Sequence, residues 1–381
     1  LPDTTDYHHP LSSNHQQPLY LYITSAIKMG AKVSAPSSRT TSGCKTKRTD
    51  RSSSEFPLPE QYVAVHLAGK GEDGEVTYCL PKQTLDEARG TISTSTQRDT
   101  RIAALKSQLV AVKTSSDSLH FEVKRLEAIR ELAGGDARRH QIVNLIAAEQ
   151  ASANEDFCGW MALSTAAGSF TVRTLCQVDM FEGNILPEEL VFHIFMQVRE
   201  VLCFLQSCDP PITHFDHHAG NILVDPSRRD VYGFPHLTLI DFSRARMPAT
   251  QKNINCDRWR FYRHAVKLAR YSTPTEARIW WFEDPKSDWE RFLMFLNTWH
   301  FNYKVSDNNT YPPPEFEWDM DDVVSVLEDG WEDMEAMMVR RKANTPPKTL
   351  KAIQDAVAHY AADGERMIEQ GLLKLLETRG E

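Results

Sequence analysis

A glycine-rich turn sits between two segments of alternating polarity, and that arrangement decides what the first part of the fold can be. Val63, Val65 and Leu67 alternate with Ala64 and His66, the pattern of a half-buried strand. The turn reads Gly69-Lys70-Gly71-Glu72-Asp73-Gly74-Glu75-Val76. Glycines permit a tight reversal and let backbone N–H groups approach an anion closely. A dinucleotide-binding βαβ unit requires a helix directly after such glycines. Here Val76, Tyr78 and Leu80 alternate instead, so residues 75–80 are expected to return as the second strand of a hairpin. Taken alone, the same pattern also fits an ordinary hairpin loop.

Residues 1–55 are rich in Ser, Thr, His, Gln and Pro with little apolar periodicity, and read as a disordered tail. The rest cannot be disordered throughout, because eight Trp and seventeen Phe are too many for a solvated coil. Residues 81–105 are polar and look inserted. The run 109–112 suits a short buried strand that ends at Lys113. Leu119, Val123, Leu126, Ile129 and Leu132 have helical spacing and are expected on one face. The clearest helix covers 188–206, with a broad apolar stripe from Leu190 to Leu205 and Pro187 placed at its first turn. Strand-like runs follow at 222–224 and 237–240. From Asp257 the chain reads as mostly helical, with Trp and Phe at core spacing, and there is no internal repeat.

Four places carry chemistry. The glycine turn is one. Val110-Ala111-Val112-Lys113 puts a cation at the end of an apolar strand, and Glu122 opens the following helical face as its potential partner. His214-Phe215-Asp216-His217-His218-Ala219-Gly220-Asn221, followed by Ile222-Leu223-Val224, is the third, and Asp241-Phe242-Ser243 is the fourth. The oxygens of Asn221 and Asp241 suit Mg²⁺, and Asp216 stands where it could receive a hydroxyl proton. The three histidines raise a zinc reading, but their spacing fits neither H-E-x-x-H nor a Cys/His pattern.

In this order, the motifs resemble those of the protein kinase superfamily: glycine loop, V-A-x-K, helix Glu, H-x-D-x-x-x-x-N and D-F-x, spread from about Tyr62 to about Arg270. His140–Leu145 is similar to the family's H-x-N-I-V-x-L strand, and Ala166-Ala167-Gly168-Ser169-Phe170 to the G-G-S-L after its hinge. The resemblance implies an α+β, bilobal protein-kinase-like fold. A small antiparallel-sheet N-lobe would span 56–170 and a larger helical C-lobe 171–345, followed by a helical extension over 346–381. It also implies ATP and Mg²⁺ as cofactors. Gly69, Gly71 and Gly74 would cover the phosphates, and Val76, Ala111 and the segment from Leu163 to Ala166 would hold the nucleotide. Lys113, paired with Glu122, would grip the α- and β-phosphates. Asp216 would act as base, with His218 beside it, while Asn221 and Asp241 would bind metal. His214 would pack beneath the D-F-x turn.

Several positions depart from the pattern. Phe215 replaces the Arg of H-R-D, and an apolar ring cannot pair with a loop phosphate. His218 gives D-x-H-x-x-N, the form found in aminoglycoside- and choline-kinase-like enzymes. Ser243 replaces the Gly of D-F-G, there is no A-P-E, and the next helical segment is expected only at Asp257. The N-lobe motifs favour a Ser/Thr-type protein acceptor. The shortened segment favours a small-molecule hydroxyl, and a pseudokinase scaffold is the third alternative.

The net charge is −9, from 43 basic and 52 acidic residues. Ten of the acidic residues fall between Glu315 and Glu335, where there is no Lys or Arg. The acidity therefore marks one segment, a solvated helix face or a docking surface for a basic partner. The region with the motifs is nearly balanced and gives no sign of nucleic-acid binding. Seven cysteines with no C-x-x-C pair favour a reducing, cytoplasmic setting. No run approaches eighteen consecutive apolar residues, so no transmembrane segment is expected. Met29-Gly30-Ala31-Lys32-Val33-Ser34 would become a lipid-anchoring signal if Met29 were the start.

Overall fold

The computed structural model describes residues 58–71, 74–89, 95–115, 119–134, 141–149, 159–177, 179–273, 285–301 and 320–377. The 1–55 segment with its Met29 pattern, and residues 315–319 of the acidic segment, lie outside them. So do the side chains of 320–329, together with His140, Glu72 and Asp73.

The hairpin forms. Strand β1 (Tyr62–Gly71) pairs antiparallel with β2 (Gly74–Pro81), closing with Gly71 opposite Gly74. The alternation does not hold to the end of β1. Register shifts at Ala64/His66 and Leu67/Gly69 interrupt the pleat, and Leu67 is half exposed. Strand β3 (Val110–Thr114) follows, then β4 (Leu145–Ala148) and β5 (Trp160–Ser164). The sheet order is β1-β2-β3-β5-β4, antiparallel throughout. Between β2 and β3 the polar stretch is not a loop. Helices α1 (Lys82–Ala88) and α2 (Ser95–Lys106) occupy it, anchored by buried Leu85, Ile102 and Leu105.

Helix α3 (His120–Leu132) buries Val123, Leu126 and Ile129, with Leu119 just before it, as the spacing predicts. Leu132 is exposed. Each three-residue step falls about 60° short of a full turn, so two such steps after Leu126 carry Leu132 off the buried face.

A second antiparallel sheet runs β6-β7-β8, from Phe170–Thr171, Ile222–Arg229 and Pro235–Leu239. Ile142 bridges Leu239, linking the segment before β4 to this second sheet. The short helix α4 (Val172–Leu175) follows β6. Helix α5 (Glu188–Ser207) is the predicted stripe helix, with Pro187 at its N-cap rather than inside its first turn. Among the described residues, α5 is the one helix apolar and long enough to span a bilayer, but 61% of that stretch is buried within the protein. Helices α6 (Gln251–Ala269), α7 (Asp288–Phe301), α8 (Met320–Ala343) and α9 (Pro347–Glu377) complete the fold.

Aromatic rings knit α5 to its neighbours. Phe195 stacks on Phe261 at 4.6 Å and meets Phe292 edge-on at 5.2 Å. Phe192 meets Phe292 at 5.1 Å, and each fully buried ring of this size contributes roughly 1.5–3 kcal/mol. Arg341 of α8 pairs with Glu188 and Glu189, and Lys342 with Asp230, fixing the end of that helix. Cys79, Cys176, Cys203, Cys208 and Cys256 are all free thiols. The architecture is α+β, with antiparallel sheets and a larger helical part.

Candidate active site

In β3, alternate residues face opposite ways. Val110 and Val112 pack with Cys79 and Ala162 in a small cluster on one face. Lys113 and Ala111 therefore take the other face. Val76 and Met161 are cross-strand partners of Lys113, and Tyr78 and Leu163 are partners of Ala111. The residues expected to surround a nucleotide, Val76, Ala111 and Leu163, thus share the face that carries Lys113. Ala166 lies beyond β5 in the linker to β6. Of the three turn glycines only Gly74 is conformationally required: its φ is +129° and a Cβ would lie 2.1 Å from the Thr114 carbonyl oxygen. Gly69 and Gly71 are extended and face open space.

Lys113 is the junction of the site. Its Nζ donates to Glu122 Oε2 at 2.8 Å and to Asp241 Oδ1 at 3.2 Å. Burial works against the ammonium, but the two carboxylates outweigh it and hold its pKa above the ordinary lysine value. Burial likewise works against the Asp241 carboxylate, and Lys113 together with hydrogen bonding from Ser243 more than offsets this, so Asp241 stays below the usual range. Glu122 is buried deepest, and desolvation pushes its pKa up despite Lys113. Its other oxygen accepts the Phe242 N–H at 3.0 Å. Arg125, one turn along α3, donates to the Phe242 and Ser243 carbonyls at 3.0 and 2.8 Å. Helix α3 therefore grips the 241–243 turn from both sides.

The 214–221 loop is held separately. Asn221 Nδ2 donates to the Asp216 carbonyl at 2.9 Å and to Asp216 Oδ2 at 3.3 Å, which leaves its amide oxygen for another ligand. His214 is fully buried, with Nε2 3.0 Å from the Ile240 carbonyl and Nδ1 accepting the Asp216 N–H at 3.1 Å. These partners require the neutral Nε2–H tautomer, and burial pushes its pKa down to about 4. Its ring meets Phe242 edge-on at 4.6 Å, beneath the 241–243 turn. Phe215 adopts φ +65°, a strained value for a bulky residue. Asp257 of α6 secures it: its carboxylate accepts the N–H of His214 at 3.1 Å and of Phe215 at 2.7 Å, and pairs with His217 at 3.1 Å. Arg260 lies over the Phe215 ring and donates to its carbonyl, so the ring is covered by a guanidinium group.

His218 is turned toward Asp216. Its Nδ1 accepts the Gly220 N–H at 3.0 Å, and its Nε2 stands 3.9 Å from Asp216 Oδ1. Arg244 approaches the other carboxylate oxygen, with Nε at 3.8 Å.

One spacing expectation is corrected. Helix α6 begins at Gln251, ten positions after Asp241 rather than sixteen. Its start is fixed by a reciprocal cap between Thr250 and Asn253, which sits in a polar turn with no apolar residue to betray it. Sequence reasoning also missed Arg125 and Asp257, whose partners are backbone groups far away in the chain.

Among the described residues no group of three or more His, Cys, Asp or Glu side chains is disposed to hold a metal ion. Asp241 and Asn221 offer two oxygen donors, so a cation there would draw its remaining ligands from phosphate and water, the habit of Mg²⁺. No protein-family model matches the chain, and no curated protein matches it.

Proposed function

We propose that this protein is an ATP- and Mg²⁺-dependent phosphotransferase of protein-kinase-like, bilobal fold, moving the γ-phosphoryl group to a hydroxyl. The observation that carries the reading is the position of Lys113, bound at once to Glu122 and Asp241 beside the Asp216–Asn221 clasp. Phosphoryl transfer asks for positioned charge rather than covalent chemistry. Lys113 supplies a fixed cation for the nucleotide phosphates. Asp241 and the Asn221 amide oxygen supply donors for Mg²⁺, which would neutralise the phosphate charge. Asp216 supplies an acceptor for the hydroxyl proton, with its carboxylate oriented by Asn221.

A Ser/Thr-type protein acceptor is the first reading, on the strength of the glycine-turn and V-A-x-K segments. A small-molecule hydroxyl is the second. The early start of α6 favours it, because the stretch after Asp241 is short for a peptide platform.

Mg²⁺-ATP should raise the unfolding free energy by roughly 2.7 kcal/mol at a hundredfold excess over its dissociation constant. Asp216→Asn should keep that stabilisation and lose transfer. A wild-type protein that binds ATP yet turns over no faster than Asp216→Asn would be a scaffold rather than an enzyme.

A further inference from the structure

The rim around Asp216 is cationic in a way that phosphoryl transfer alone does not explain. Helix α4 packs against the turn Ala219–Asn221 and brings Arg173 over it. A Cβ built at Gly220 would lie 2.9 Å from His218 Cε1 and 3.0 Å from Arg173 Nη2. The guanidinium and the imidazole thus close on one point, and the glycine leaves room for both. Arg173 is exposed and has no ion-pair partner among the described residues. Arg244 is 60% exposed and reaches Asp216 only loosely, at 3.8 Å. His218 stands between Arg173 and the Asp216 carboxylate. The remaining carboxylates of the site, Glu122 and Asp241, are already committed to Lys113. Two exposed guanidinium groups, Arg173 at the Gly220 turn and Arg244 at Asp216, therefore lie along the loop that carries the carboxylate a hydroxyl must approach. Planar guanidinium forks match carboxylate and phosphate oxygens, and a rim of one sign concentrates ligands of the other.

We propose that the hydroxyl acceptor carries a second, anionic group, a carboxylate or phosphate, held by Arg173 and Arg244 along the 216–221 loop. This rests on the phosphotransferase reading and names the substrate class of the same site. Neither arginine is asked to do chemistry; both position and select.

The test uses the full chain, with matched acceptors in two sets. One set holds serine peptides with neutral, lysine, aspartate or phosphoserine flanks. The other holds glycerol, ethanolamine and glycerol phosphate. ADP release and product formation give kcat and KM. Anionic acceptors should be preferred at least tenfold in kcat/KM, and whichever set shows the preference identifies the source of the anion. Arg173→Gln should raise KM for anionic acceptors several-fold, leaving neutral acceptors and thermal stabilisation by Mg²⁺-ATP unchanged, and Arg244→Gln should raise KM for anionic acceptors several-fold more than for neutral ones. Equal use of neutral and anionic acceptors would overturn the proposal, as would a loss in the variants shared equally by all acceptors or a loss of nucleotide stabilisation.

Should no acceptor turn over, the phosphotransferase reading falls by itself. Calorimetric titration with the phosphoserine peptide then decides the arginine site: binding lost in the double variant sustains it, and no binding to wild type removes it.

Discussion

Asp257 shows how a residue that never meets a ligand can shape a site. Its carboxylate accepts two successive N–H groups just before Asp216 and is buried together with His217. Removing such a charge strands both its donors and its histidine, so Asp257→Ala should cost about 3 kcal/mol or more in urea denaturation. Asp216→Asn, at a half-buried position, should cost little. Nothing in the sequence around Asp257 announces this, because a carboxylate that binds distant backbone has no motif. Lys113, Asn221 and Asp241 were legible for the opposite reason: each sits at the end of a short apolar strand, where local pattern fixes its direction.

His214 adds a pH signature. Its folded pKa lies at about 4 and the unfolded value near 6.5, so between the two the unfolded chain binds protons that the folded chain refuses. Stability is therefore full above pH 6.5 and declines as pH falls, by roughly 2 kcal/mol at pH 5 from this residue. His264, pushed down to about 3 by burial, acts in the same direction. Denaturation midpoints at pH 7.5 and pH 5 should differ, and His214→Gln should narrow the gap. An equal gap in both proteins would show that His214 is not the group titrating.

At the scale of elements, the hairpin offers the sharpest contrast. The sequence presents three equivalent glycines, but the structure separates them. Gly74→Ala must force a Cβ against the Thr114 carbonyl at a positive φ, and should destabilise by more than 1 kcal/mol. Gly69→Ala meets open space and should be nearly neutral in stability. If Gly69 covers ATP phosphates, its effect will appear in nucleotide affinity alone. Helices α3 and α5 were legible because their apolar stripes are long. The boundary of α6 was not, because Thr250 and Asn253 define it through polar caps. Thr250→Ala should cost about 1 kcal/mol, read by thermal denaturation.

At the scale of the whole molecule, α9 is the element whose place the sequence conceals. Its amphipathic pattern shows that one face is buried, but a pattern cannot say against what. The partners come from far up the chain. Gly364 meets the Gly168 turn, and Gly371 sits where a Cβ would lie 2.2 Å from the Val65 carbonyl oxygen. Lys106 pairs with Glu369, and the Phe170 and Tyr360 rings pack at 5.7 Å. The helix thus touches β1, α1 and α2 as well as β6, α4 and β7. Gly371→Val should lift it from β1 and speed amide exchange in β1 before any other strand. Unchanged protection there would mean the contact is dispensable.

The Val65 contact matters for another reason. β1 is an edge strand of its sheet, and Val65 is one of the two residues its register skips, with Ala68. During synthesis β1 emerges early and the helix that covers this stretch emerges late. Until then an exposed strand edge is open to pair with any neighbouring chain. A chain that stops before residue 347 should therefore be prone to edge-to-edge aggregation, whatever happens around Lys113 and Asp241.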